Sequence, residues 1–386
     1  MTDRTHFPLV FALWGAGLGA AGQYAKISVI FDQLPGVYPD AGAALGFIVS
    51  LVGFVGIVLG VVAGLVVARI RYRRAMLWAL WAGALVSAFQ ATLPGLPLML
   101  LSRVVEGMSH LAIVVAAPTL IAGLSLERHR GFTLTLWSTF FSVAFTLLVV
   151  AGLPLVDAFG IPALFLAHAI WLTVFAVVLT LFLRPIETPP PGALTLQGMI
   201  ADHLTIYRSP FISAPAAGWL FYTFCFLAIL TVLPPYIEAA WRAWVMGAMP
   251  LVSIAVSLTL GVVALRFISA IALIQIGFAA CVAALAWLLI APGLPLACLA
   301  LAGALGLVQG ASFAAVPQLN ATADTQAKAY GALAQTGNLG NTLGTPALLV
   351  VLGVAGYPGL VWTSMAVLGG GALVHGWMAA RRKALA

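Results

Sequence analysis

The sequence predicts an all-α polytopic membrane protein: twelve transmembrane helices in two six-helix bundles related by a pseudo-two-fold axis. Three observations lead there. Hydrophobic residues make up 63% of the 386 and charged residues only 7%, against roughly 25% charged in soluble domains. So few charges cannot cover a water-facing surface. Second, the apolar residues form runs long enough to cross a ~30 Å hydrocarbon core as helices, and too uniformly apolar for the alternating strands of a barrel. Third, short sequence matches recur at about half the chain length.

The first six runs fall at about 7–34, 42–68, 75–93, 97–124, 132–156 and 161–183. A second six fall at about 211–237, 243–265, 268–291, 295–319, 329–353 and 358–380. Met1 to His6 is a short polar leader, and the run behind it is too long for a signal-peptide core, so it reads as the first helix. Pro-Gly-Leu-Pro-Leu at 94–98 recurs at 292–296, Pro118-Thr-Leu is echoed by Pro317-Gln-Leu, and Gly131 by Gly331. Each match alone is cheap turn chemistry; the nearly constant offset is the informative part. The expected domains are an N-terminal bundle over 1–184, a cytoplasmic linker over 185–210 and a C-terminal bundle over 211–386. A short amphipathic helix is expected around Leu196–Tyr207.

Loop charges set the orientation. Arg69, Arg71, Arg73, Arg74, Arg128, Arg130, Arg184, Arg208, Arg266 and Lys328 fall in alternate loops, on the side of Arg4 and the Arg381-Arg382-Lys383 tail. The opposite loops hold Asp40, Asp157 and Glu238, with Arg242 as their basic residue. By the positive-inside rule both termini are cytoplasmic, which requires an even number of spans. The net charge of +7 is therefore an insertion signal and not a nucleic-acid surface. Cys225, Cys281 and Cys298 lie in apolar runs without paired spacing, so neither disulfide nor zinc site is expected, and no cofactor.

Two motifs carry a family resemblance. After the second run comes Gly64-Leu-Val-Val-Ala68-Arg69-Ile-Arg71-Tyr-Arg73-Arg74, and the fourth run contains Arg103-Val-Val-Glu106-Gly107. With twelve spans and a six-plus-six repeat, these resemble the major facilitator superfamily. Its loop between helices two and three reads approximately Gly-x-Leu-Ala-Asp-Arg-x-Gly-Arg-Lys, and its fourth helix carries roughly Arg-x-x-Gln-Gly. The resemblance implies a role in conformational gating for Gly64, Arg69 and Arg73. Ala68 replaces the acidic residue of that loop. The fifth-helix motif of drug/proton antiporters, Gly-Pro followed by paired glycines, is absent from Trp137–Leu155. The resemblance further implies a monomeric secondary transporter of the bacterial cytoplasmic (inner) membrane working by alternating access.

An ionisable side chain inside the membrane is a functional candidate by default. Arg103, Glu106 and His110 share one helical face, and Lys26 in the first helix lies at a comparable depth. Glu106 is the one acidic residue placed well within the bilayer and is the expected proton carrier, with His110 as an auxiliary relay. Lys26 and Arg103 are expected to anchor an anionic group of the substrate. The competing readings are a structural Arg103–Glu106 pair and a Lys26 that snorkels to the interface. In the eleventh run Gln335 and Asn338 could bind a polar substrate, or serve with Gly337, Gly340 and Gly344 as interhelical glue. Trp219 and Tyr222 on the seventh helix could form an aromatic wall for substrate or simply pack. Gln23, Tyr24 and Gln309 are weaker candidates, and His168 and His375 read as isolated packing residues.

Two cations against one carboxylate favour a small organic anion or zwitterion, moved with protons. The alternative is proton-driven efflux of amphipathic drugs or metabolites, with Glu106 as counter-charge to a cation. An intramembrane enzyme is disfavoured: there is no HExxH, no GxSxG and no His–Asp pair within the spans.

Overall fold

A computed structural model describes residues 4–60, 63–184 and 196–385. Among them the secondary structure is helical, without a strand. The contacts divide the chain into two compact units, Met1–Gly56 with Val62–Leu194, and Ile57–Val61 with Thr195–Ala386.

Up to the linker the helices of six or more residues are α1 (Phe7–Ser28), α2 (Leu45–Ser50), α3 (Phe54–Leu59), α4 (Ala63–Ile70), α5 (Tyr72–Gln90), α6 (Leu96–Leu124), α7 (Glu127–Ser138), α8 (Phe140–Leu147), α9 (Leu153–Phe159) and α10 (Ile161–Phe182). Beyond it run α11 (Leu196–Arg208), α12 (Ala214–Val232), α13 (Ala239–Val256), α14 (Ala270–Ile290), α15 (Pro295–Leu319) and α16 (Ala323–Lys383). Of the expected linker, 185–195 lies outside the described residues. α6 follows Gly95 and α15 follows Leu294, each with a proline in its first turn, where a missing N–H costs nothing, and each carries an internal proline, Pro118 and Pro317.

Nine helical stretches among the described residues are long and apolar enough to cross a membrane. Their outward faces carry exposed apolar side chains such as Leu85, Ile170, Leu181 and Leu373, which only lipid can solvate at this density. Inside the first unit Leu13, Met76, Leu80, Ile113, Leu120, Leu172 and Leu179 interlock α1, α5, α6 and α10.

Several apolar runs read from sequence as single helices are broken. The run at 42–68 passes from α2 through a 3₁₀ turn, Leu51–Gly53, into α3. Ser50 donates its hydroxyl hydrogen back to the Gly46 carbonyl at 2.9 Å, a contact that bends helices by competing with the backbone ladder. The run at 132–156 is divided among α7, α8, a π-helical turn at Leu148–Gly152, and α9. Conversely, α16 joins two expected spans, but Gly356 sits at φ 61° and breaks it.

α16 packs along α12 at its glycines. A Cβ on Gly344 would lie 2.0 Å from the Phe224 carbonyl oxygen, so the two backbones touch there as small residues permit. Gly344→Ala is expected to destabilise the protein by about 1–3 kcal/mol, as overpacking does. Gly353→Ala, with open space around its Cβ, is the control. Equal thermal midpoints for the two variants would refute this close contact.

Candidate functional site

The charged residues expected at membrane depth converge in the first unit. α6 presents Arg103 and Glu106 one turn apart, and α1 delivers Lys26 from its last turn. All three are 0% exposed. Lys26 Nζ lies 2.6 Å from Glu106 Oε1, and an Arg103 guanidinium nitrogen pairs with Glu106 Oε2. Lys26 therefore does not snorkel: its ammonium is turned inward, with the Phe165 ring centroid 5.2 Å away.

Arg103 does a second job. Its Nε donates to the Ile48 carbonyl at 2.6 Å, and another guanidinium nitrogen donates to the Gln23 carbonyl at 2.5 Å. The Val49 carbonyl lies 3.4 Å from that same nitrogen. Ile48 and Val49 close α2 just before the 3₁₀ turn, where carbonyls lose their regular ladder partners. Gly107 completes the motif by allowing approach: a Cβ there would lie 2.4 Å from the Val52 carbonyl oxygen. Arg-x-x-Glu-Gly thus serves at once as ion pair, carbonyl clamp and contact point for the broken second span.

α5 and α10 supply partners that sequence reasoning missed. Gln90 Nε2 donates to Glu106 Oε2 at 2.9 Å and to Ser102 Oγ at 3.0 Å. Ser87 Oγ accepts from Lys26 Nζ at 2.8 Å. His168 is not isolated: its Nδ1 lies 3.3 Å from Lys26 Nζ and 2.9 Å from Ser87 Oγ, and its Nε2 lies 2.8 Å from the Gly19 carbonyl. Ser87 and Gln90 share a face of α5 at i and i+3, polar positions in an apolar run, and that was the signal available. His110 sits beside the cluster without joining it. Its Nδ1 bonds the Ala20 carbonyl at 2.9 Å, and Tyr24 stands edge-on to its ring. Gln23 donates to Ser109 Oγ at 2.9 Å.

The other candidates lie elsewhere. Arg73 caps the end of α10, donating to the carbonyls of Leu183 at 2.5 Å and Thr180 at 3.0 Å. Arg69 is exposed on α4; Gly64 falls within the same helix, and its surroundings lie outside the described residues. In the second unit Trp219, Tyr222 and Phe226 form a stacked column, with centroid spacings of 4.5 and 5.3 Å. The Tyr222 hydroxyl donates to Gln309 Oε1 at 3.2 Å. Gln335 accepts from the Tyr207 hydroxyl of α11 at 2.7 Å, while Asn338 donates to the Ala334 carbonyl of its own helix at 2.8 Å. His375 packs against Gly218 and Phe278.

Long lipid-facing helices, with Lys26, Arg103 and Glu106 buried among those of the first unit, define a multi-pass membrane protein. The chain belongs to the Major Facilitator Superfamily, whose sequence profile matches residues 9–345. It is accordingly a transporter and not an enzyme. Among solved structures it is similar to the human organic anion transporter MFSD10 (TETRAN), with a TM-score of 0.71 and 17% identity over 96% of this chain and 99% of that one. No curated protein sequence matches it.

Proposed function

We propose that the protein is a proton-coupled secondary transporter that moves a small organic anion or zwitterion by alternating access. The supporting observation is the buried cluster, in which Lys26 and Arg103 face the single carboxylate of Glu106 at 0% exposure. Burying an unbalanced charge is costly, and a cargo bearing negative charge removes the imbalance. The organic anion named for the similar human structure accords with this reading. Efflux of amphipathic cations is the second reading, and the excess of cations speaks against it.

Glu106 is the group on which coupling turns, because both cations depend on it. His110, whose Nδ1 bonds the Ala20 carbonyl, is proposed as an auxiliary relay. Gln335, Asn338, Tyr222 and Trp219 are proposed as the contribution of the second unit to substrate binding, and Arg69, Arg73 and Gly64 as part of the gating loop. Counting α1 and α5 as spans and dividing α16 at Gly356 brings the nine apolar stretches to twelve, in bundles over 1–184 and 211–386 with a linker between. The proposed setting is the bacterial inner membrane, with both termini in the cytoplasm and the chain acting as a monomer.

The test uses the full chain in proteoliposomes loaded with a pH-sensitive dye. Addition of small organic acids is expected to drive proton movement, and Glu106→Gln is expected to reduce it to the level of empty vesicles. Proton movement driven by ethidium and by no carboxylate would reverse the substrate assignment.

A further inference from the structure

Resting on the transporter reading, we infer that the exchangeable proton of the buried cluster is shared by Lys26 and His168, with Glu106 as the fixed counter-charge. Donors and acceptors decide the point. Glu106 Oε1 accepts from Lys26 at 2.6 Å, and Oε2 accepts from Gln90 at 2.9 Å and from Arg103. A protonated carboxyl would turn its hydrogen toward one of three donors, so these surroundings suit the ionised form. Arg103 keeps its proton in any protein setting.

Lys26 is different, because acceptors other than the carboxylate stand beside it: Ser87 Oγ at 2.8 Å and His168 Nδ1 at 3.3 Å. The second ring nitrogen of His168 fixes the tautomer. Nε2 faces the Gly19 carbonyl at 2.8 Å, and a carbonyl only accepts, so the neutral ring carries its hydrogen on Nε2. With the Ser87 hydroxyl donating to the Phe165 carbonyl at 3.0 Å, Nδ1 offers its lone pair to the Lys26 ammonium. The remaining ionisable neighbours are Arg103, Glu106 and His110 on α6 and Tyr24 on α1; α5 contributes the neutral Ser87 and Gln90, α8 the apolar Phe141, and α2 its carbonyls.

The charge balance follows. Arg103 and Glu106 cancel, so the cluster is neutral when Lys26 is an amine and carries one positive charge when the proton is present. In transfer the Nζ–H bond breaks as the Nδ1–H bond forms, leaving an amine and an imidazolium; the charge leaves the cluster when that proton passes to water. One negative charge on a cargo offsets the protonated state, so one proton and one negative charge travel together.

Lysine occurs only at 26, 328 and 383, which makes the proposal accessible to NMR of the full chain labelled at lysine ¹⁵Nζ. Lys26→Met assigns the resonance. On titration of the folded protein the Lys26 signal is expected to move between ammonium and amine positions independently of the other two. His168→Leu is expected to displace its midpoint about tenfold in proton concentration, and His168→Gln, whose amide oxygen accepts the same hydrogen bond, to restore it. A Lys26 signal fixed at the ammonium position in the unmodified protein overturns the proposal, as does a midpoint untouched in His168→Leu. These readouts need no transport. Titration without anion-driven flux would remove the proton-coupled anion reading alone; flux with an untitrating Lys26 would remove this inference alone.

Discussion

Replacing Glu106 with Gln is expected to destabilise the first unit more than Lys26→Met does and to end coupled flux. Lys26 and Arg103 are both 0% exposed and both reach Glu106. Removing one member of a buried ion pair while leaving the other typically costs about 3–5 kcal/mol, because the orphaned charge stays desolvated. Lys26 can shed its proton and escape the penalty; Arg103 cannot. The cost therefore falls on Arg103, and the double variant Lys26→Met/Glu106→Gln is expected to be no less stable than Glu106→Gln alone. Lys26→Met by itself leaves the neutral Arg103–Glu106 pair intact, so its stability is expected to stay within about 1 kcal/mol of the parent, the margin of a tolerated core swap. Thermal unfolding of the purified proteins checks the ranking. A Lys26→Met variant less stable than Glu106→Gln would show that the carboxylate is not the hub.

How far this cluster was legible in the sequence follows from what each residue costs to bury. Lys26, Arg103 and Glu106 are expensive in hydrocarbon, so their presence inside long apolar runs is a signal by itself, and the i, i+3 spacing put two of them on one face. Chain order could not show which neutral groups would complete the site. Ser87, Gln90 and His168 sit cheaply in many helices, and they joined the cluster only because α5 and α10 pack beside α1 and α6. His110 shares the face of Glu106, as its spacing showed, and chain order could not show that its ring would bond the Ala20 carbonyl. Helix existence was readable from length and hydropathy, while continuity was not. The second span breaks at Leu51–Gly53 because carbonyls there find partners outside their own helix, and those partners lie 50 or more positions away in the chain, as with Arg103 and Ile48.

That break makes Arg103→Lys the sharpest test of geometry apart from charge. The substitution keeps the positive charge and its attraction to Glu106. What it removes is the planar fork that serves the Ile48 and Gln23 carbonyls and the carboxylate together. A compact ammonium on a flexible stem cannot span them. Each buried carbonyl left without a donor costs about 1–3 kcal/mol, so a marked fall in the unfolding midpoint is expected although no charge has changed. The loss should also be local. Backbone amide exchange at 49–54, where α2 gives way to the 3₁₀ turn, is expected to accelerate, while exchange in α12 stays as it was. Uniform acceleration across both units would mean that Arg103→Lys acts through global stability, and unchanged exchange at 49–54 would mean that the break holds without its clamp. If the acceleration is confined to the break, Arg103 links the state of Glu106 to the shape of the second span. Any proton or anion that alters the Glu106 ion pairs would then act on that break through one guanidinium.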